Sequence, residues 1–395
     1  LVERGFLTES ELQDLKDGRT FLWGIRFALH TLTGRGEDRL LFEYQRKIAE
    51  HFLGTEESGE SNAVVEQFMQ RYYRTVMQNE RLNEMLLQLF QEELLTNKTL
   101  PSEGIGEHFR AKHGFLEASD KDLFSRRPVA LMELFVLLAK HENLLGVRAS
   151  TIRLIRDNLY LIDEDFRSDP EIRQHFFELF RQPSGVYTQL QRMNRYGVLA
   201  AYIPAFANIV GRMQFDLFHV YTVDQHILFV IKNLRRFAYG KYHSEFSHVT
   251  DIFHQIDHPE ILYLAALFHD IAKGRKGDHS TLGAVDAREF CRSLPMGEIY
   301  QERVAWLVEQ HLVMSQTAQR RDINAPETNK GFCDVVQNQT RLDYLYLITV
   351  ADNAATSPKL WNNWKDSLLG ELYSVTSMAL EEGSSNIFDR NHRIQ

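Results

Sequence analysis

The sequence predicts an all-α fold with one small interruption. Three observations carry that expectation: apolar residues recur at three- and four-residue spacing, capping signatures open two of the runs, and only residues 96–127 collect enough Pro and Gly to break the pattern. The expected order is a helical bundle over 1–95, a helical connector with a small hairpin near 107–118 over 96–215, a further helical domain over 216–380, and a tail over 381–395.

Composition narrows the class. At 395 residues, 44% hydrophobic and 25% charged, the chain is long enough for two or three domains with a sizeable core. Its net charge of -9 argues against a broad nucleic-acid surface, and no apolar run is long enough to span a bilayer. The two cysteines, Cys291 and Cys333, have no partner at zinc-finger spacing, which fits a reducing, cytoplasmic setting. The start at Leu1, without an initiator Met or a leader, is expected of a piece of a larger protein.

Thr8 and Glu11 read as a capping box that opens a helix with Leu12 and Leu15 inward. A second run carries Phe21, Leu22, Ile25, Leu29 and Leu32 up to Gly34, and 39–52 continues the period. An acidic connector over 54–61 leads to one or two long helices over 63–95. In the interruption, residues 109–112 and 115–118 flank His113-Gly114 and are expected to pair as a hairpin. Helices follow from Pro128, over 150–161 and over 170–180, with Gly185 and Gly197 punctuating two more.

The chemistry gathers after residue 219. Thr222 and Gln225 form a second capping signature, and the helix they open carries His226 at the edge of an apolar stripe of Ile227, Val230, Ile231 and Leu234. A following apolar helix begins at Pro259 and stops at Gly274, placing the adjacent pair His269-Asp270 in its last turn, where the helix dipole favours a cation. Lys273 follows on the same face. Its plain role is to complement the helix end; beside a metal it would bind a phosphate oxygen or steady a hydroxide. His279 precedes a helix that Ser280 is expected to cap, and His311 lies on an inward helix face. Asp352 sits in an apolar helix, a costly place for a carboxylate without a partner. Each has a bland explanation alone. Their order, at helix ends or on apolar faces, points to imidazole and carboxylate ligands for Mn, Fe, Mg or Zn.

This ordered set resembles the HD superfamily of metal-dependent phosphohydrolases. The resemblance implies that His226, His269, Asp270 and Asp352 hold one ion and that His279 and His311 serve a second in two-metal members. Mn or Mg is the first expectation, with Fe or Zn as alternatives. A more specific resemblance rests on the 215–224 string Phe-Asp-Leu-Phe-His-Val-Tyr-Thr-Val-Asp, on Phe21-Leu22-Trp23 with 39–42, and on 267–274 with Gly277-Asp278-His279-Ser280. These are similar to the bifunctional uridylyltransferase/uridylyl-removing enzymes of bacterial nitrogen control. That resemblance implies hydrolysis of UMP from a tyrosine of the PII signalling protein; Asp270 and Lys273 are the expected catalytic residues. No Gly-Ser and paired-carboxylate nucleotidyltransferase motif occurs here. That domain is expected before residue 1, and glutamine-sensing ACT domains after the C-terminus. Two rivals remain at this stage: an HD hydrolase of a free alarmone or cyclic dinucleotide, and a silent helical scaffold that docks PII.

Overall fold

The computed structural model describes residues 1–54, 62–94, 102–215, 220–240, 246–357 and 361–382. The expected acidic connector from 55 onward, the 216–219 part of the aromatic string and the tail from 383 lie outside the described residues. The chain divides into two compact units, 1–217 with 222–224, and 218–221 with 225–395.

The first unit opens with α1 (Glu9–Thr33), α2 (Phe42–Leu53) and α3 (Ala63–Leu94). The Thr8 and Glu11 side chains cap each other's backbone N–H groups at 3.1 and 2.9 Å, as their spacing predicts. The two expected runs, with Leu12 and Leu15 and from Phe21 to Leu32, are one helix. Gly18 is there for packing, since a Cβ would stand 2.9 Å from Asn79 Oδ1 on α3. Phe21, Ile25, Leu29, Ile48, Phe68 and Met69 close the core among the three helices. Glu11 is wholly buried, and Arg153 donates to both its oxygens at 2.9 Å, the charge-assisted pairing that a buried carboxylate requires.

The interruption is larger than the expected hairpin. Strands β1 (Glu103–Ile105), β2 (Phe109–Lys112) and β3 (Phe115–Ala118) form an antiparallel meander, and β4 (Gly146–Val147) adds parallel to β3. The β2–β3 turn has positive φ at both His113 (54°) and Gly114 (80°), the backbone that a two-residue type I′ hairpin needs. Strands of three and two residues are too short to show a period, which is why β1 and β4 escape a sequence reading. Between β3 and β4 come α4 (Leu123–Arg126) and α5 (Ala130–Lys140), and after β4 come α6 (Ala149–Asp157), α7 (Glu164–Ser168), α8 (Pro170–Phe180), α9 (Val186–Tyr196), α10 (Val198–Tyr202) and α11 (Pro204–Ile209). Thr151 Oγ1 on α6 accepts from the Ala118 N–H at 3.0 Å and ties that helix to β3.

The second unit holds most of α12 (Val223–Phe237), then α13 (Ser247–Phe253), α14 (Pro259–Phe268), α15 (His279–Arg292), α16 (Glu298–Gln310), α17 (Val313–Arg320), α18 (Pro326–Val336), α19 (Gln339–Thr356) and α20 (Asn363–Glu382). Two helices form its centre because they are apolar all round. Ile261 through Phe268 on α14 are at most 1% exposed, and Leu345, Leu347, Val350 and Ala351 on α19 are buried. Gly283 lets α15 approach α14 and α16, for a Cβ there would stand 3.1 Å from the Phe268 carbonyl and 3.2 Å from Val308. Among the described residues, no helix is long and apolar enough to cross a membrane.

Candidate metal centre

The apolar helices deliver their few polar side chains to one point. His226 enters from the first turns of α12. Helix α14 ends at Phe268, so His269 is its C-cap and Asp270 lies just beyond. This is one turn earlier than the sequence suggested. The chain tightens into i→i+3 bonds, Ile271 N–H to the Phe268 carbonyl at 3.2 Å and Lys273 N–H to the Asp270 carbonyl at 3.0 Å, and turns away at Gly274 with φ 85°. His279 is the first residue of α15, whose cap is Asp278 rather than the expected Ser280: its carboxylate accepts from the Thr281 N–H at 2.9 Å. His311 caps the C-terminus of α16, and Asp352 comes from the last turns of α19.

All seven residues singled out by the sequence meet here. Nε2 of His226 lies 2.9 Å from Asp352 Oδ1, 3.3 Å from His269 Nε2 and 3.6 Å from Asp270 Oδ2. His269 Nε2 stands 3.3 Å from the same Asp270 oxygen and 3.9 Å from Asp352. The other Asp270 oxygen, Oδ1, faces His279 Nε2 at 3.5 Å and His311 Nε2 at 3.9 Å. Lys273 Nζ completes the set, 2.7 Å from Asp270 Oδ2. Two donor groups result, His226–His269–Asp270 and Asp270–His279–His311, and one carboxylate serves both.

The donors suit a cation. Nδ1 of His269 donates to the Ala266 carbonyl at 2.8 Å and Nδ1 of His311 to the Val308 carbonyl at 2.7 Å, which leaves both Nε2 lone pairs aimed inward. Nδ1 of His226 is buried without a hydrogen-bond partner among the described residues. A single proton between two Nε2 atoms and two carboxylates serves one or two of them; a divalent ion serves all four, and imidazole with carboxylate is an ordinary donor set for Mn, Fe, Mg or Zn.

Electrostatics keep both carboxylates and two of the imidazoles in ligating forms. Burial acts to raise the Asp270 carboxyl, but Lys273, His269 and His226 outweigh it and hold it well below the usual carboxylate range. Asp352 is likewise held low against burial, by its hydrogen bond to His226. Burial pushes His311 down to about 4 and lowers His279, so both are neutral near pH 7. His269 goes the other way: burial is overcome by Asp270 and Asp352, and its imidazole is raised.

Three family models match successive stretches of the chain: GlnD PII-uridylyltransferase over 1–87, uridylyltransferase GlnD third domain over 109–202, and HD domain over 223–356. Curated relatives named bifunctional uridylyltransferase/uridylyl-removing enzyme share 51% identity over all of the chain in Nitrosococcus oceani, 54% over 97% in Methylococcus capsulatus and 47% over all of it in Pseudomonas aeruginosa. The chain belongs to their family. It spans 44% of the length of each of these uridylyltransferase/uridylyl-removing enzymes, and the HD match encloses all seven residues of the centre. One residue beside the centre escaped the sequence reading. Asn233, in the apolar stripe of α12 seven residues after His226, donates to the Ala351 carbonyl at 3.1 Å, next to Asp352. A lone Asn among Ile231 and Leu234 was the available signal.

Proposed function

We propose that the second unit is a divalent-metal-dependent phosphodiesterase that hydrolyses UMP from a uridylylated tyrosine of a PII protein. The observation that carries this is the single Asp270 carboxylate facing two imidazole pairs, with Lys273 at its edge. The family's name supplies the substrate. Residues 216–380 form the HD hydrolase domain in this proposal, with 1–95 as a helical bundle and 96–215 as its connector. The two buried, unbridged cysteines suit a cytoplasmic setting.

In the reaction a water oxygen adds to phosphorus, the bond from phosphorus to the tyrosine oxygen breaks, and that oxygen takes up a proton. The bound ions, Mn or Mg foremost with Fe or Zn as alternatives, would polarise the phosphoryl oxygens and activate the water. His269 and His311, pinned through Nδ1, hold their Nε2 atoms in fixed directions. The Lys273 ammonium donates one N–H hydrogen bond to the ionised Asp270 carboxylate and presents its other N–H groups to a phosphoryl oxygen.

The test is UMP release from uridylylated PII by this chain with Mn²⁺ and then with chelator. Chelator-sensitive release is expected; no release from the ion-loaded protein, or turnover of free alarmones in its place, overturns the proposal. Lys273→Met is expected to lower kcat by roughly 10²–10³-fold while ion content stays unchanged, the loss typical of removing one preorganised charge from a transition state. Unchanged kcat in single-turnover measurements would remove Lys273 from the mechanism.

A further inference from the structure

Helix α12 continues past His226 into the wall of a cavity of about 470 Å³ in the second unit. Phe229 lies three residues after His226, and Ala355 three residues after Asp352. On a helix that spacing keeps one face and advances about one turn, ~5 Å. The cavity therefore begins one turn away from both ligands, and the Asn233 bond to the Ala351 carbonyl fixes the two helices at that place.

The lining is of a particular kind. Half-buried rings of Tyr221, Phe229 and Trp361 face it together with buried Phe246. Tyr221 and Phe229 meet edge to face at 4.6 Å, and Trp361 lies 6.4 Å from Phe246, tilted by 31°. Two cations line the same walls, Lys232 with its ammonium 5.7 Å from the Phe229 ring and Arg236 with its guanidinium 5.2 Å from that of Phe246. Aromatic faces take up the flat face of a base, and cationic N–H donors beside them bond the carbonyl oxygens at its edge. The volume falls within the range of small-ligand sites.

We propose that this cavity is the nucleoside subsite of the centre and that it takes the UMP half of the scissile diester. The base lies on the Phe229 and Trp361 rings, the 5′-phosphate reaches the His226–Asp352 end, and Lys232 and Arg236, farther along α12, donate to the carbonyl oxygens of the base. The protein tyrosine then leaves on the side away from this cavity. This assignment rests on the phosphodiesterase reading of the centre.

Binding separates the two. UMP, inorganic phosphate and phosphotyrosine are titrated into the protein with Mg²⁺ by calorimetry, for the parent chain, Trp361→Ala and Lys232→Glu. UMP is expected to bind the parent at least about tenfold more tightly than phosphate, and each substitution to remove about tenfold of UMP affinity, the scale of one base–aromatic stack. Lys232 is exposed, so Lys232→Glu tests the cavity independently of any effect of Trp361→Ala on folding. Equal affinity for UMP and phosphate, or UMP affinity indifferent to both substitutions, overturns the proposal. Weakening of phosphotyrosine alone would assign the cavity to the leaving protein and also overturn it. Absence of hydrolysis by the parent chain would instead count against the phosphodiesterase, and UMP binding would still decide the cavity.

Discussion

Asp270→Asn is expected to abolish UMP release, by about 10³-fold or more, while circular dichroism remains that of the parent. The loss follows from position. Asp270 is the only residue common to both donor groups, with Oδ2 toward His226 and His269 and Oδ1 toward His279 and His311. Asparagine has nearly the same shape but no charge, and its amide nitrogen cannot accept, so whichever way it turns one donor group loses its oxygen. Each ion supplies several kcal/mol of charge stabilisation to phosphoryl transfer, equivalent to about 10³-fold in rate. Helical content is spared because Asp270 lies in the turn after α14, beyond the last helical hydrogen bonds. Hydrolysis within tenfold of the parent at full ion occupancy would show that the carboxylate does not organise the centre.

The sequence displayed the elements around this centre unevenly, for physical reasons. Helices α14 and α19 are legible because an unbroken apolar run of that length has to be buried on all sides, and the polar residues at their ends then stand out. Pro170–Phe180 is legible to the residue, with Pro at its first position and Asp169 accepting from the Glu171 N–H at 2.8 Å. The exact exit of α14 was not, since whether the helix runs through Asp270 or stops at Phe268 depends on what the turn meets. Here Gly283 admits α15 against the Phe268 carbonyl. The gap between the Leu12–Leu15 and Phe21–Leu32 runs misled in the same way, for α1 continues through it and Gly18 within it is a packing contact. The nucleoside cavity is the least legible feature. Asn233 in its wall bonds the Ala351 carbonyl, 118 residues away, and only the folded chain brings those positions together.

Titration with Mn²⁺ is expected to fill two sites of unequal strength, and the double variant His279→Ala/His311→Ala to fill one. Helix ends decide the inequality. His269 and His311 occupy the C-caps of α14 and α16, where unsatisfied carbonyls place partial negative charge beside a cation. His279 instead opens α15, whose N-terminal partial charge repels one. The first group also has Asp352 at 2.9 Å from His226, a second carboxylate that the other group lacks within such reach among the described residues. His279 adds a further handicap, with 27% of its side chain exposed and correspondingly less fixed in direction. The Asp270–His279–His311 site should therefore empty first as chelator is added, and its loss in the double variant should leave the tighter site within about tenfold of the parent's affinity. Single replacement of His226 should do the reverse, weakening the tighter site by roughly 10–100-fold, at least the cost of disturbing a ligand's support. Element analysis after graded chelation reads both outcomes. A stoichiometry of one in the parent would show that Asp270 serves a single ion, and of two in the double variant that His279 and His311 do not hold the second.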